Sequence, residues 1–302
     1  MKFHRKGRKK IFMIVGIVMM VAVILIGIEI YRSYNSLEVE EYTVKSDRIE
    51  SEVKIVLISD LHDHTFGERN EELVRMLRRQ KPDLILMAGD MINDVSEDSH
   101  VAVELIHQAK EIAPVYYSLG NQEEDYIKKE TSDLVIELKE AGAIVLDESY
   151  RDIKVNGNSI RLGGMYDYAF ALDGNNTTRK KNMRPSLYRF LTDFQNTDAF
   201  RLMMAHRPDS FVFGDAASTW KIDLVVSGHN HGGQVILPVL GGLYGGDQGW
   251  FPPYLEGIHH FETVENMIIT RGLGSGKEKL PRFNNRPEIA MIHLEKEEGN
   301  EI

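Results

Sequence analysis

Cysteine is absent from all 302 residues. That excludes a disulfide framework and any thiolate metal site, and it leaves the compartment open on either side of a membrane. Internal repeats and low-complexity stretches are also missing, so a solenoid or a disordered chain is excluded. Positive charge is scarce over most of the length. Six basic side chains (Lys2, Arg5, Lys6, Arg8, Lys9, Lys10) stand in the first ten residues, and the remainder carries 30 basic against 46 acidic side chains. So acidic a body disfavours nonspecific nucleic-acid binding, and no nucleic-acid partner is expected. Phosphorylated substrates stay possible, because bound cations reverse a local field.

One long apolar run is present. Ile11 to Ile28 holds 18 residues without a charge, which as a helix spans about 27 Å, close to one bilayer core. The basic cluster before it predicts a cytoplasmic N-terminus by the positive-inside rule. A cleaved signal peptide is the alternative, but no small-x-small cleavage site follows; the run continues into Glu29, Ile30, Tyr31 and Arg32. A buried helix of a soluble protein is the third reading. The organisation expected is a basic cytoplasmic tail (1–10), a single-pass signal-anchor helix (11–30), a short polar linker (31–36) and an extracytoplasmic globular domain (37–302) on the cytoplasmic membrane. The acidic tail from Glu295 to Glu301 reads as a solvated end.

The body shows short apolar runs that each stop abruptly at polar residues. Val53 to Ser59 stops at Asp60-Leu61-His62, and Leu84 to Ala88 at Gly89-Asp90. Val115 to Leu119 stops at Gly120-Asn121, Leu202 to Ala205 at His206, and Ile222 to Val226 at Ser227-Gly228-His229-Asn230-His231. Runs this short and rich in Val, Ile and Leu read as buried strands. Helical spacing lies between them at Asn70 to Gln80, His100 to Lys110 and Asp133 to Ala141. Alternation of strand and helix predicts an α/β domain, whose ligand sites lie beyond the carboxyl ends of the strands. Each polar cluster alone is ordinary turn or cap chemistry, though the His229-Asn230-His231 pair stands out. Together, five strand ends supply two Asp, one Asn and four His side chains. That oxygen and nitrogen set suits Mn, Fe or Zn better than Ca or Mg, and it is too large for one tetrahedral ion.

These blocks, with ISDLHDHTFG (58–67), GHNHGGQ (228–234), LPVLGGLYGGDQGWFPPYLEG (237–257), TRGLG (270–274) and FNNRPEI (283–289), resemble the calcineurin-like metallophosphoesterases. Within that family they are most similar to the bacterial YkuE-type branch of membrane-bound or exported members. The resemblance covers about residues 40–295. It implies two packed β-sheets flanked by helices and a pair of divalent ions. Asp60, His62 and His231 would hold one ion; Asn121, His206 and His229 would hold the other; Asp90 would bridge them. Two ions so held lower the pKa of a shared water and clamp phosphoryl oxygens. The implied activity is hydrolysis of phosphomonoester, phosphodiester or pyrophosphate bonds, and the anchor points to cell-envelope or lipid-linked substrates.

One block departs from the family pattern. Gly-Asn-His followed by an acid is usual, and this chain reads Gly120-Asn121-Gln122-Glu123. The missing His is given the role of acid to the leaving group, and Gln122 cannot deliver a proton. His64, two residues after His62, is the candidate substitute; His259 and His260 are weaker ones. Asp94 is a candidate to orient a ligand from behind. The alternative reading is a metal-binding sensing module with little turnover. Gly241 to Gly249 followed by Trp250, Phe251 and Tyr254 reads as an ordered surface loop, or as an aromatic-tipped lid for lipid-linked substrates.

Overall fold

A computed structural model describes residues 2–130, 133–166, 168–169, 171–172, 178–179, 183–213, 216–276 and 280–298. The elements build two six-stranded sheets. The first contains β1 (Glu38–Ser46), β2 (Val53–Ile58), β3 (Leu84–Ala88), β4 (Val115–Ser118), β5 (Ile144–Val145) and, returning from the far end of the chain, β18 (Glu288–Lys296), in the order β1-β18-β2-β3-β4-β5. The second contains β6 (Ser149–Val155), β7 (Asn158–Met165), β10 (Phe200–Ala205), β11 (Ile222–Ser227), β16 (Gly257–His259) and β17 (Val264–Ile269), in the order β16-β17-β11-β10-β7-β6. Two-stranded pieces make up the rest: β8 (Ala171–Leu172) with β9 (Thr178–Arg179), β12 (Ile236–Leu237) with β13 (Gly241–Gly242), and β14 (Tyr244–Gly245) with β15 (Gly249–Trp250).

Strand periodicity explains the layering. On β2, Ile55 and Leu57 point into the core between the sheets, while Val56 and Ile58 point to the outer face. On β11, Leu224 and Val226 face inward and Val225 outward. Both faces of the central strands are buried, as expected where parallel strands are covered on two sides. The outer face of the first sheet is covered by α2 (Glu71–Gln80), α3 (His100–Ala109) and α5 (Leu134–Ala141), through Leu73, Leu77, Leu105 and Leu138. The outer face of the second is covered by α6 (Pro185–Gln195), through Leu187, Leu191 and Phe194, and by the short α7 (Asp209–Val212). The expected pair of packed sheets flanked by helices is therefore the architecture.

Helix α1 (Lys2–Asn35) precedes the sheets. Its stretch Lys10–Asn35 is long and apolar enough to cross a membrane, with a mean hydropathy of 3.2 in its most apolar window and none of that window buried. The expected linker at 31–36 is helical as far as Asn35. The last turn is held rather than free: Ser36 N–H donates to Arg32 O, the Ser33 hydroxyl accepts from Asn285 N–H, and the Tyr34 hydroxyl accepts from Arg282 N–H.

The remaining helix, α4 (Asn121–Glu130), begins where the sequence reads only as a turn after β4. Its first residue carries one of the candidate ligands, so helix and site start together. Residues 299–302 of the acidic tail lie outside the described residues.

Candidate metal centre

The carboxyl ends of β2, β3, β4, β10 and β11 meet at one edge of the sandwich, around a cleft of about 180 Å³ lined by His62, Asp90, Asn121, Gln122, His229 and His231 among others. Two donor triads stand there. Ligand atoms of Asp60, His62 and His231 lie within 4.8 Å of one another, and so do those of Asp90, His206 and His229. Asp90 lies between the two sets: its Oδ2 is 3.2 Å from His206 Nε2 and 3.8 Å from His62 Nε2. Asp60 Oδ1 is 3.7 Å from His231 Nε2 and 4.0 Å from both His62 Nε2 and His206 Nε2. Donors sharing one cation at ~2.0–2.1 Å stand roughly 3–3.5 Å apart, so these separations are those of a slightly open coordination shell.

The donors are aimed by their other atoms. His206 Nδ1 lies 2.7 Å from the Ala88 carbonyl, His62 Nδ1 3.0 Å from Asn93 Oδ1, and His231 Nδ1 3.2 Å from the Gly274 carbonyl. Each acceptor fixes the proton on Nδ1 and turns Nε2 toward the cleft. The Nε2 atoms of His62 and His206 and the Oδ1 of Asn121 are buried with no hydrogen-bond partner. Unpaired buried acceptors on three side chains that line or border one cleft, beside two carboxylates, fit a bound cation there. His229 is turned differently: its Nε2 is 3.3 Å from Asp247 Oδ2, in the glycine-rich loop.

Electrostatics agree. Burial alone would drive the His206 imidazole toward neutrality, but Asp90 and Asp60 overcome it and raise its pKa to about 9. Burial also pushes Asp90 up, and His206 and His62 more than reverse that, leaving its carboxylate well below the usual range. The clustered carboxylates favour positive charge at this place, which a divalent ion supplies. Burial holds His231 neutral, at about 3, as ligation requires.

Backbone strain is concentrated here. Asp60, His62, Asp90, His229 and His231 have φ between 46° and 70°. A left-handed non-glycine residue costs about 1–3 kcal/mol and persists only where surroundings impose it. Cross-links between the loops do so: Asp60 N–H to Gly89 O, His62 N–H to Asp90 O, and Gly228 N–H to His206 O. Two glycines permit the close approach. A Cβ on Gly228 would lie 2.2 Å from both Ser59 Oγ and Asp60 Oδ2, and one on Gly120 would lie 2.1 Å from Asp90 Oδ1.

Several residues not singled out in the sequence hold the site. The buried Glu123 carboxylate accepts from the N–H groups of Asp90, Met91 and Gly120 at 2.7–2.8 Å and from the Tyr117 hydroxyl at 2.6 Å. The fully buried Arg282 donates to the carbonyls of Gly274, Arg271, Gly272, Asn285 and Arg286. Asn285 Nδ2 in turn donates to the carbonyls of His231 and Gln234.

Other expectations need correction. His64 is not among the residues lining the cleft. Its ring packs edge-on against Phe66, centroids 4.6 Å apart, beside Tyr34 and Arg282, because the chain reverses at His62 and Asp63. His259 and His260 bond to the carbonyls of Glu256 and Glu265, away from the cleft. Asp94 orients no ligand; its carboxylate pairs with Lys129, and Asn93 takes the place behind His62. Gln122 does line the cleft. Its N–H donates to Asp90 Oδ1 at 2.9 Å, and its Oε1 accepts from Asp94 N–H at 2.8 Å.

Two adjacent triads of carboxylate and imidazole donors, with the Asn121 amide lining the same cleft, at the edge of a two-sheet α/β sandwich are the arrangement of a metal-dependent phosphoric ester hydrolase. The chain belongs to the calcineurin-like phosphoesterase family, whose model matches residues 53–233. It is 30% identical over 194 residues to a metallophosphoesterase of Caenorhabditis elegans, a match covering 62% of this chain and 39% of that protein. It is 29% identical over 246 residues to phosphodiesterase YaeI of Escherichia coli, covering 80% of this chain and 82% of that one. Metallophosphoesterase YkuE of Bacillus subtilis is 25% identical over 272 residues, 87% of each chain. The family is one of dinuclear metal-dependent enzymes acting on phosphorylated substrates.

Proposed function

We propose that this chain is a membrane-anchored phosphoesterase that cleaves phosphomonoester, phosphodiester or pyrophosphate bonds of cell-envelope or lipid-linked substrates. Its catalytic domain would lie outside the cytoplasmic membrane. The observation that carries the chemistry is the pair of triads joined by Asp90, with orphaned Nε2 atoms on His62 and His206 aimed into one cleft. Asp60, His62 and His231 would hold one ion, Asn121, His206 and His229 would hold the other, and Asp90 would be shared between them. Sulfur-free imidazole and carboxylate donors suit Mn, Fe or Zn. The bound pair supplies an activated water and charge stabilisation for an in-line displacement at phosphorus. The residues behind the donors keep the ligand geometry fixed while charge redistributes, so little reorganisation is needed at the moment of reaction. Gln122 sits where it can donate a hydrogen bond to a phosphoryl oxygen but can release no proton. Aryl esters and pyrophosphates, whose leaving groups need no protonation, are therefore the expected best substrates.

The membrane assignment rests on α1: its long apolar, unburied stretch follows six basic residues and no acid in the first ten positions. The test of function is a turnover screen of the metal-loaded full chain against mono-, di- and pyrophosphate substrates; no turnover of any class would remove the hydrolase reading. Gln122 also favours a second reading, a metal-binding sensor with little turnover. Strong hydrolysis of an aryl phosphodiester with Mn added excludes it.

A further inference from the structure

Eight large hydrophobic side chains are exposed outside α1 among the described residues, and five of them fall between positions 239 and 251. Val239 is fully exposed, Trp250 is 67% and Leu240 65% exposed, and Phe251 and Tyr244 are also open. None carries a charge. Val239 and Phe251 have φ of 71° and 50°. A β-branched residue held left-handed at a loop tip is a conformation that sequence preference opposes, and such strain clusters where a surface has a use.

The five share one folded unit. Tyr244 packs edge-on against Trp250 with centroids 5.2 Å apart, and backbone bonds from Leu243 to Val235 and from Phe251 to Leu243 tie the two hairpins together. A continuous set of hydrogen bonds joins this unit to the last turn of α1. Ile236 N–H donates to Phe283 O and Asn284 Nδ2 to Ile236 O, while the adjacent Asn285 and Arg282 N–H groups donate to Ser33 and Tyr34. Tyr31, on the same last turns, is 67% exposed.

We propose that the segment 237–251 docks on the phospholipid surface beside the anchor, inserting Val239, Leu240, Trp250 and Phe251 into the interfacial layer. The proposal rests on reading α1 as a membrane anchor. The occupant is lipid because the patch is braced against the helix that would enter the bilayer, and because Trp and Tyr are the side chains that favour the interface. The tether holds the patch at high effective concentration near the surface, so a small apolar area suffices. Asp247 of the same loop touches His229, which brings the metal centre close to the headgroup plane and suits substrates presented there.

The chain has two tryptophans, and Trp220 is 2% exposed in the core. In the full chain, Trp220→Phe leaves Trp250 as the reporter, read in phosphatidylcholine/phosphatidylglycerol nanodiscs with acyl chains brominated near the headgroup. Docking predicts blue-shifted Trp250 emission that falls at least twofold in brominated discs. Val239→Glu with Leu240→Glu should abolish this quenching and leave metal content unchanged. If Trp220→Phe does not fold, the same quenching should appear in the native chain and vanish in Trp250→Phe. Retention in the discs with red-shifted, unquenched Trp250 overturns docking alone. Release of the chain from the discs by carbonate overturns the anchor reading and docking with it.

Discussion

Glu123 shows how much of the site depends on a side chain that supplies no candidate metal donor. Its carboxylate collects three backbone N–H groups and the Tyr117 hydroxyl at the point where the β3 and β4 loops meet, and so sets the direction of Asp90 and the start of α4. Glu123→Ala would leave those buried donors unpaired. It should cost about 3–5 kcal/mol in denaturant unfolding, comparable to breaking a buried ion pair. Asn93→Ala removes the acceptor behind His62 and should weaken metal affinity by about 10–100-fold in a competition titration; it also takes a donor from the His62 carbonyl and Asp63, and should lower stability by about 1–3 kcal/mol. Gln122→His should raise turnover of alkyl esters by up to about 10²–10⁴, and that of aryl esters much less, because a proton donor helps only a poor leaving group. The seven candidate ligands were legible because each follows an apolar run. Asn93 and Asp247 were not: nothing local marks an amide or a loop carboxylate as facing a histidine 31 or 18 residues away.

Among the elements, the buried central strands could be read directly from their short Val, Ile and Leu runs, with ends within two residues. The return strands could not. β6 alternates exposed charges with half-buried residues, and β18 joins the first sheet between β1 and β2 only because of contacts nearly 250 residues apart. Helix α4 was hidden because Gly120-Asn121 carries the same signal as a plain turn. The 282–285 segment is the brace between α1 and the candidate site, since Asn285 bonds His231 O and Gln234 O while its own N–H meets Ser33. Asn285→Ala should lower stability by about 1–3 kcal/mol for the carbonyls left unpaired. It should also weaken metal binding, which a purely local packing defect would not do; thermal unfolding with and without added Mn separates the two.

At the scale of the whole molecule, charge and apolar residues are unevenly divided: an acidic body carries the two sheets, and a helix that is basic at its start and then long and apolar enough to cross a membrane precedes it. Sequence composition displayed that unevenness, but sheet order and the hydrogen bonds that join the last turn of α1 to the 282–285 segment needed coordinates. A full-length chain should resist carbonate extraction from membranes, and its C-terminal domain should be cleaved by protease added outside spheroplasts. The proposed function depends on seven donors converging on two cations. The most direct test is the metal content of purified full chain after reconstitution with Mn or Zn, measured by elemental analysis beside Asp90→Asn. Two equivalents per chain are expected, with a clear loss in the variant and turnover lowered more than the about 10–100-fold typical of an outer-shell change. Only trace uptake by the native chain, or an unchanged two equivalents with normal turnover in Asp90→Asn, would contradict the dinuclear centre.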